Sequence, residues 1–169
     1  MYKITGILLF LFSSVCFFSQ AQSFEKGTKT VNLGLGLGYG GLGILGSIEV
    51  GLVDKVSVGL LGGITRRNYG YFGSNYGVNY IVVGGRASYH FNKILKEFDI
   101  SVDKLDPYVG VTAGFRGVTY DNGYSGYNGV NAGLMFGGYI GARYQLKDKL
   151  AVMAEVGAPF SSAGITFKF

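Results

Sequence analysis

The sequence predicts an all-β chain of eight antiparallel strands, each beside the one before, closed into an up-and-down barrel that crosses a lipid bilayer. Three observations predict it. Apolar residues recur at every second position in eight separate segments, the period that sends alternate side chains to opposite faces of a strand. The 169 residues include 30 glycines, 13 tyrosines and 13 phenylalanines but no tryptophan, and interior glycines at about 1 kcal/mol each against alanine disfavour helix. Opposite each apolar face stands a face of Gly, Ser, Thr and scattered charges, too sparse a coat for a soluble sheet, whose second face is normally dressed for water.

The chain opens with a segment that resembles a secretion signal. Lys3 precedes an uncharged run over 6–18, and Ser19 and Ala21 take the two small-residue positions of a cleavage site. The run is shorter than the roughly 20 residues a spanning helix needs. Cleavage after Ala21 leaves 22–169 as the barrel domain, takes the formal charge from +5 to +4 with the loss of Lys3, and removes Cys16, the single cysteine. The mature chain then has neither a disulfide nor a thiol-based site. Val15 before Cys16 departs from the small residue that a lipoprotein cleavage box favours.

The strands follow in order. In Val31-Asn32-Leu33-Gly34-Leu35-Gly36-Leu37-Gly38-Tyr39 every odd position is large and every even one small or polar. The second strand (44–52) sets Ile48, Val50 and Leu52 against Ser47 and Glu49, and the third (56–64) sets Val56, Val58, Leu60 and Ile64 against Ser57, Gly59 and Gly63. In the fourth, Ile81, Val83, Ala87, Tyr89 and Phe91 oppose Tyr80, Gly84, Arg86, Ser88 and His90. The fifth (108–119) places Val109, Val111, Ala113 and Phe115 opposite Gly110, Thr112, Gly114 and Arg116. The sixth (131–146) carries Leu134, Phe136, Ile140, Ala142 and Tyr144 against Gly133, Gly137, Gly141 and Arg143. The seventh opposes Leu150, Val152, Ala154 and Val156 to Ala151, Met153, Glu155 and Gly157, and the eighth Ala163, Ile165, Phe167 and Phe169 to Gly164, Thr166 and Lys168. At ~10 residues per crossing, eight strands use up the mature chain.

Val53-Asp54-Lys55 and Lys147-Asp148-Lys149 read as tight charged turns, whereas 66–77 and 120–130 read as longer loops of Gly, Asn, Ser and Tyr. With the N-terminus in the periplasm, the tight turns fall inside and the aromatic loops, with Tyr69, Tyr71, Phe72, Tyr76, Tyr120, Tyr124 and Tyr127, fall outside, the asymmetry of bacterial outer-membrane barrels. The connections at 40–43 and 159–162 are short for outer loops. The charged segment 92–107, Asp106 included, is expected in water. Tyr39, Tyr89, Phe91, Tyr108, Tyr144, Phe167 and Phe169 lie near strand ends, where aromatic girdles belong.

Alternation points Glu49, Arg86, Arg116, Arg143, Glu155 and Lys168 into the lumen. Confined charges must pair or meet water, so the expected network joins Glu155 to Arg143 on the neighbouring strand and Glu49 to Arg86 or Arg116 across the tube, with inward glycines leaving room. An eight-stranded interior is just wide enough for side chains to fill, which excludes a wide pore. Chemistry is scarce: His90 has Ser88 on its face but no inward acid nearby in sequence, and a catalytic pair needs a third, orienting group. No catalytic, cofactor or metal site is expected. Gly36-x-Gly38-x-x-Gly41 matches a dinucleotide fingerprint in form alone, since no helix follows. Dispersed Arg and Lys form no nucleic-acid patch.

Ser162-x-Gly164-x-x-Phe167-x-Phe169 resembles the C-terminal signal by which barrels are recognised for outer-membrane assembly, resting on Gly164, Phe167 and Phe169. With this ending, the layout is similar to the small eight-stranded outer-membrane barrels, the OmpA membrane domain, OmpX and OmpW, with the chain ending at its last strand and without OmpA's peptidoglycan-binding domain. The resemblance implies a bacterial outer-membrane protein, a monomer, whose partners are membrane lipid, lipopolysaccharide, the barrel-assembly machinery and a surface ligand. The expected role is structural or surface-interactive, not enzymatic; the alternative is a narrow channel or carrier for small anions or hydrophobic molecules.

Overall fold

The structure, a computed structural model, describes residues 24–71, 74–91, 104–120 and 131–169. Eight strands follow one another as β1 Lys29–Gly38, β2 Gly41–Val53, β3 Val56–Tyr71, β4 Ser74–His90, β5 Leu105–Tyr120, β6 Asn131–Lys147, β7 Leu150–Ala158 and β8 Phe160–Lys168. Each pairs antiparallel with its sequence neighbours, and β8 returns to β1 to close the barrel. Closure leaves no strand edge, so in hydrocarbon no backbone N–H or C=O would go unpaired.

The alternation read from the sequence sorts the two faces. Leu35, Leu60, Val83, Val111, Phe136 and Val156 stand bare on the outer wall, each at least 60% exposed, while Asn32, Glu49, Ser57, Arg86, His90 and Arg143 are buried in the tube. A soluble fold would reverse this. An exterior of bare aliphatic and aromatic side chains fits acyl chains.

Phe24, the first described residue, and Phe169 lie at one end of the barrel, here called the termini end, with the tight turns at Asp54–Lys55 and Asp148–Lys149; the other is the loop end. The turn from β1 to β2 is two residues, Tyr39 (φ 51°) and Gly40 (φ 76°), the left-handed pair that suits a tight hairpin. The segment 66–77 differs from the loop expected there: β3 and β4 run on as a hairpin, with Tyr69 opposite Tyr76 and Tyr71 opposite Ser74. Alternation of Thr65 and Arg67 against Ile64 and Arg66 continues past the wall, and a pleated ladder tolerates Gly and Tyr in a two-stranded arm. Inward glycines are held by contact rather than left as space. A Cβ on Gly110 would lie 2.3 Å from the Tyr139 ring, one on Gly141 2.7 Å from the Tyr108 ring, and one on Gly59 2.9 Å from Glu49 Cγ. Each glycine thus gives way to one large inward side chain on the adjacent strand.

Candidate functional site

The polar interior of the termini half is one connected network with a side chain from every strand. Glu49 of β2 sits at its centre, fully buried. Its Oε1 accepts from Asn32 Nδ2 (β1) at 2.7 Å and from Arg143 Nη2 (β6) at 2.7 Å, and lies 3.4 Å from Arg86 Nε (β4). Its Oε2 accepts from Ser57 Oγ (β3) at 2.9 Å and Ser88 Oγ (β4) at 3.4 Å. Thr166 of β8 donates to Asn32 Oδ1 at 2.7 Å.

A second carboxylate, Glu155 of β7, accepts from Arg86 Nη2 at 2.5 Å and from the Tyr108 hydroxyl (β5) at 2.8 Å. Arg86 also donates to the Tyr139 hydroxyl at 3.1 Å and lies 4.3 Å from that ring's centre. Arg143 lies 4.5 Å from the centre of the Tyr108 ring and 3.8 Å from Asp106 Oδ2. In a confined interior such pairs hold best where the remaining lone pairs and protons also find partners; hydroxyls and aromatic faces supply many of them here, while Arg143 Nε and Nη1 and Thr30 Oγ1 are buried without a hydrogen-bond partner.

The structure corrects several expectations. Glu155 reaches Arg86 and not Arg143, because Gly141 stands opposite Glu155 in the β6–β7 register while Arg143 faces Met153. Arg143 instead crosses the tube to Glu49. Of the two partners expected for Glu49, Arg86 is present and Arg116 is not: Arg116 lies nearer the loop end, 4.9 Å from the centre of the Tyr39 ring. Tyr108 belongs to no girdle; at 2% exposure it fills the lumen. Tyr39 sits in the first turn, stacked on Tyr80 at 5.0 Å and edge-on to Phe160 at 5.4 Å. Asp106 is not in a watery turn but on β5, pointing inward in phase with Tyr108, Thr112 and Arg116.

Asp106 therefore supplies the inward acid expected to be missing near His90. His90 Nδ1 lies 2.9 Å from Asp106 Oδ2, and Nε2 lies 3.0 Å from Ser57 Oγ. Hydroxyl, imidazole and carboxylate stand at the spacing of a nucleophilic triad. Their surroundings serve another end. Ser57 and His90 have no exposure, the Ser57 hydroxyl is engaged by Glu49, and Phe24 stacks on the imidazole at 4.1 Å. Enclosed in this way, the trio forms a hydrogen-bonded strut between β3, β4 and β5.

Phe24 closes the termini end. The backbone of 24–28 bonds to Gly51 and Lys55, with Gly27 N–H donating to Gly51 C=O at 2.9 Å. Lys168 lines a cavity of ≈ 30 Å³ there with Phe24, Asp106 and Arg143. A cavity of ≈ 50 Å³ lies at mid-lumen between Arg86, Glu155, Leu45, Leu61 and Phe160. Each has room for a few waters.

Sequence reasoning missed Asn32, Ser57, Asp106, Tyr139 and Thr166 as members of the network; each lies at an inward parity of its strand. Phe167 and Phe169 stand exposed on the wall beside the closing seam, and Gly164 faces inward with no room for a Cβ against Leu33 C=O of β1. Tyr120 is 40% exposed at the end of β5. Phe72, Tyr124 and Tyr127 lie outside the described residues, as do 1–21 and the side chains of Tyr69, Tyr71 and Tyr76.

Closed eight-strand topology, an apolar wall and inward-facing charges give this chain the fold of the small transmembrane β-barrels found in bacterial outer membranes. Solved structures agree. The chain is similar to the N-terminal β-barrel domain of Pseudomonas aeruginosa OprF (TM-score 0.62, 18% identity, 88% of this chain and 100% of that one). It is similar also to the P. aeruginosa outer-membrane protein OprG (TM-score 0.61, 11% identity, 87% and 98%). A third likeness is to Yersinia pestis Ail, solved with the heparin analogue sucrose octasulfate (TM-score 0.54, 12% identity, 85% and 99%). No protein-family model and no curated protein matches the chain.

Proposed function

We propose that this chain is a monomeric outer-membrane protein, exported by a signal cleaved after Ala21, whose barrel is a closed scaffold for surface contact and not a diffusion pore or an enzyme. The observation that carries this reading is the burial of Glu49 beneath donors from β1, β3, β4 and β6. A carboxylate so held, with Arg86–Glu155 beside it and Phe24 below, leaves no continuous water path. The termini end then faces the periplasm. The long β3–β4 arm and the 120–130 connection, with Tyr69, Tyr71, Phe72, Tyr76, Tyr120, Tyr124 and Tyr127, face outward as the contact surface for a partner or for lipopolysaccharide. Gly164, Phe167 and Phe169 serve as the segment read by the assembly machinery.

Single-channel recording in planar bilayers tests the closed scaffold. The account expects no steady conductance from the native barrel, and a small conductance from a variant carrying E49Q and E155Q. A stable, anion-preferring current through the native protein would replace this reading with that of a narrow channel.

A further inference from the structure

The guanidiniums of Arg86, Arg116 and Arg143 face into the tube from β4, β5 and β6, and carboxylates stand beside two of them. Arg86 and Arg143 share Glu49, and each has a second carboxylate, Glu155 or Asp106. Arg116 has neither. Its Nε is buried without a hydrogen-bond partner, and among the described residues no carboxylate forms an ion pair with it. The described acids are Glu25, Glu49, Asp54, Asp106, Asp148 and Glu155. All of them belong to the network or to the tail and turns of the termini end.

A second guanidinium comes to the same place. Arg67 of β3 packs over Gly40, where an added Cβ would lie 2.6 Å from its Nη1, while Arg116 of β5 lies on the ring of Tyr39. Tyr39 and Gly40 are the two residues of one turn, so cations from two strands converge on it. Beneath Arg116, Gly133 of β6 presents no side chain, and a Cβ there would stand 3.6 Å from Nη2. Arg116 is partly exposed, so its charge can be reached from the loop end.

We infer that this mouth is a binding site for a tetrahedral oxyanion, the phosphate or sulfate group of a soluble ligand entering from the loop end. A guanidinium offers a planar fork of donors that matches such oxygens. The Tyr39 ring holds one face of Arg116 by cation–π contact and thereby orients the fork. Both cations face the tube and not the wall, so the group arrives from water and not from a neighbouring lipid headgroup. The site lies apart from the Glu49 network and stands whether or not the lumen conducts.

Calorimetric titration of the folded mature barrel in neutral detergent, with sulfate, phosphate and chloride at matched ionic strength, tests the site. Saturable binding of sulfate and phosphate is expected, with no response to chloride. R116Q should weaken it by about tenfold or more, the loss of a charge-assisted hydrogen-bonded contact. R67Q should weaken it less, and R66Q, on the outward face, should leave it unchanged. Absence of saturable binding, or equal affinity in R116Q, overturns the inference. If R116Q does not fold, R116K keeps the charge without the fork; weaker binding by R116K supports the site and unchanged binding overturns it. An effect of R116Q seen only on lipopolysaccharide-containing vesicles, and not on free oxyanion, would assign the contact to a lipid headgroup and overturn the soluble ligand.

Discussion

The two halves of the lumen solve the same problem in opposite ways. Towards the termini, three carboxylates and two guanidiniums interlock, and the Asn32 amide of β1 with hydroxyls from β2, β3, β4, β5, β6 and β8 fills many of the remaining valences. Towards the loops, Leu45, Leu61, Val78, Val82, Met135 and Phe160 pack as an apolar core would, and Arg116 above them meets no acid among the described residues. What differs is the number of strands that can bring a polar group to one point. Glu49 is met by four strands, whereas Arg116 meets one aromatic ring. The termini half is tied together by charge; the loop half leaves Arg116 without a carboxylate among the described residues.

Substitutions that separate the halves should rank accordingly. E49A carries the largest expected effect, a loss of about 3–5 kcal/mol, because it leaves Arg143 with only the longer contact to Asp106 and Arg86 with Glu155 as its one carboxylate. It is read by urea titration of folding, with heat-modifiable migration on a gel as the coarse check. On the wall, V111R near the middle of β5 should cost about 2–4 kcal/mol in bilayers, the depth-dependent penalty of a lipid-facing cation. If it were neutral, the exterior would not be in lipid. Y108F removes the hydroxyl that donates to Glu155 and should cost about 1.5–3 kcal/mol, the range for a hydrogen bond to a charged group. R116Q, in the loop half and without added oxyanion, should change stability by less than about 1 kcal/mol or improve it, since among the described residues its charge loses only the cation–π contact with Tyr39 and no carboxylate. A loss as large as that of E49A would erase the contrast between the halves.

Most of the fold was legible because strand alternation is a local property. Val31 to Tyr39 declares its two faces without reference to any other strand, and so do the other seven segments. The lumen charges were legible for the same reason, since parity alone turns Glu49, Arg86 and Glu155 inward. Their partners were not, because partnership depends on stagger around a closed tube. Arg86 on β4 and Glu155 on β7 are three strands apart, and Arg143 on β6 faces Glu49 across the ring. Adjacency in sequence favoured the neighbouring pair Glu155 and Arg143, which the register separates. Asp106 was hidden by its company: a run of exposed-looking charges precedes it, yet it stands two residues before Tyr108 and four before Gly110, in phase with both. The β3–β4 arm was hidden by composition, since Gly, Asn and Tyr signal a turn locally while the ladder runs on through them.

The central claim is that the Glu49 carboxylate ties opposite sides of the barrel together through its charge. The most direct measurement is a double-mutant cycle of E49Q and R143M, scored by equilibrium folding into lipid vesicles. The account predicts a coupling of about 2 kcal/mol or more, within the range for close charge pairs. Additivity within about 0.5 kcal/mol would contradict it and reduce the network to side chains that merely fill space.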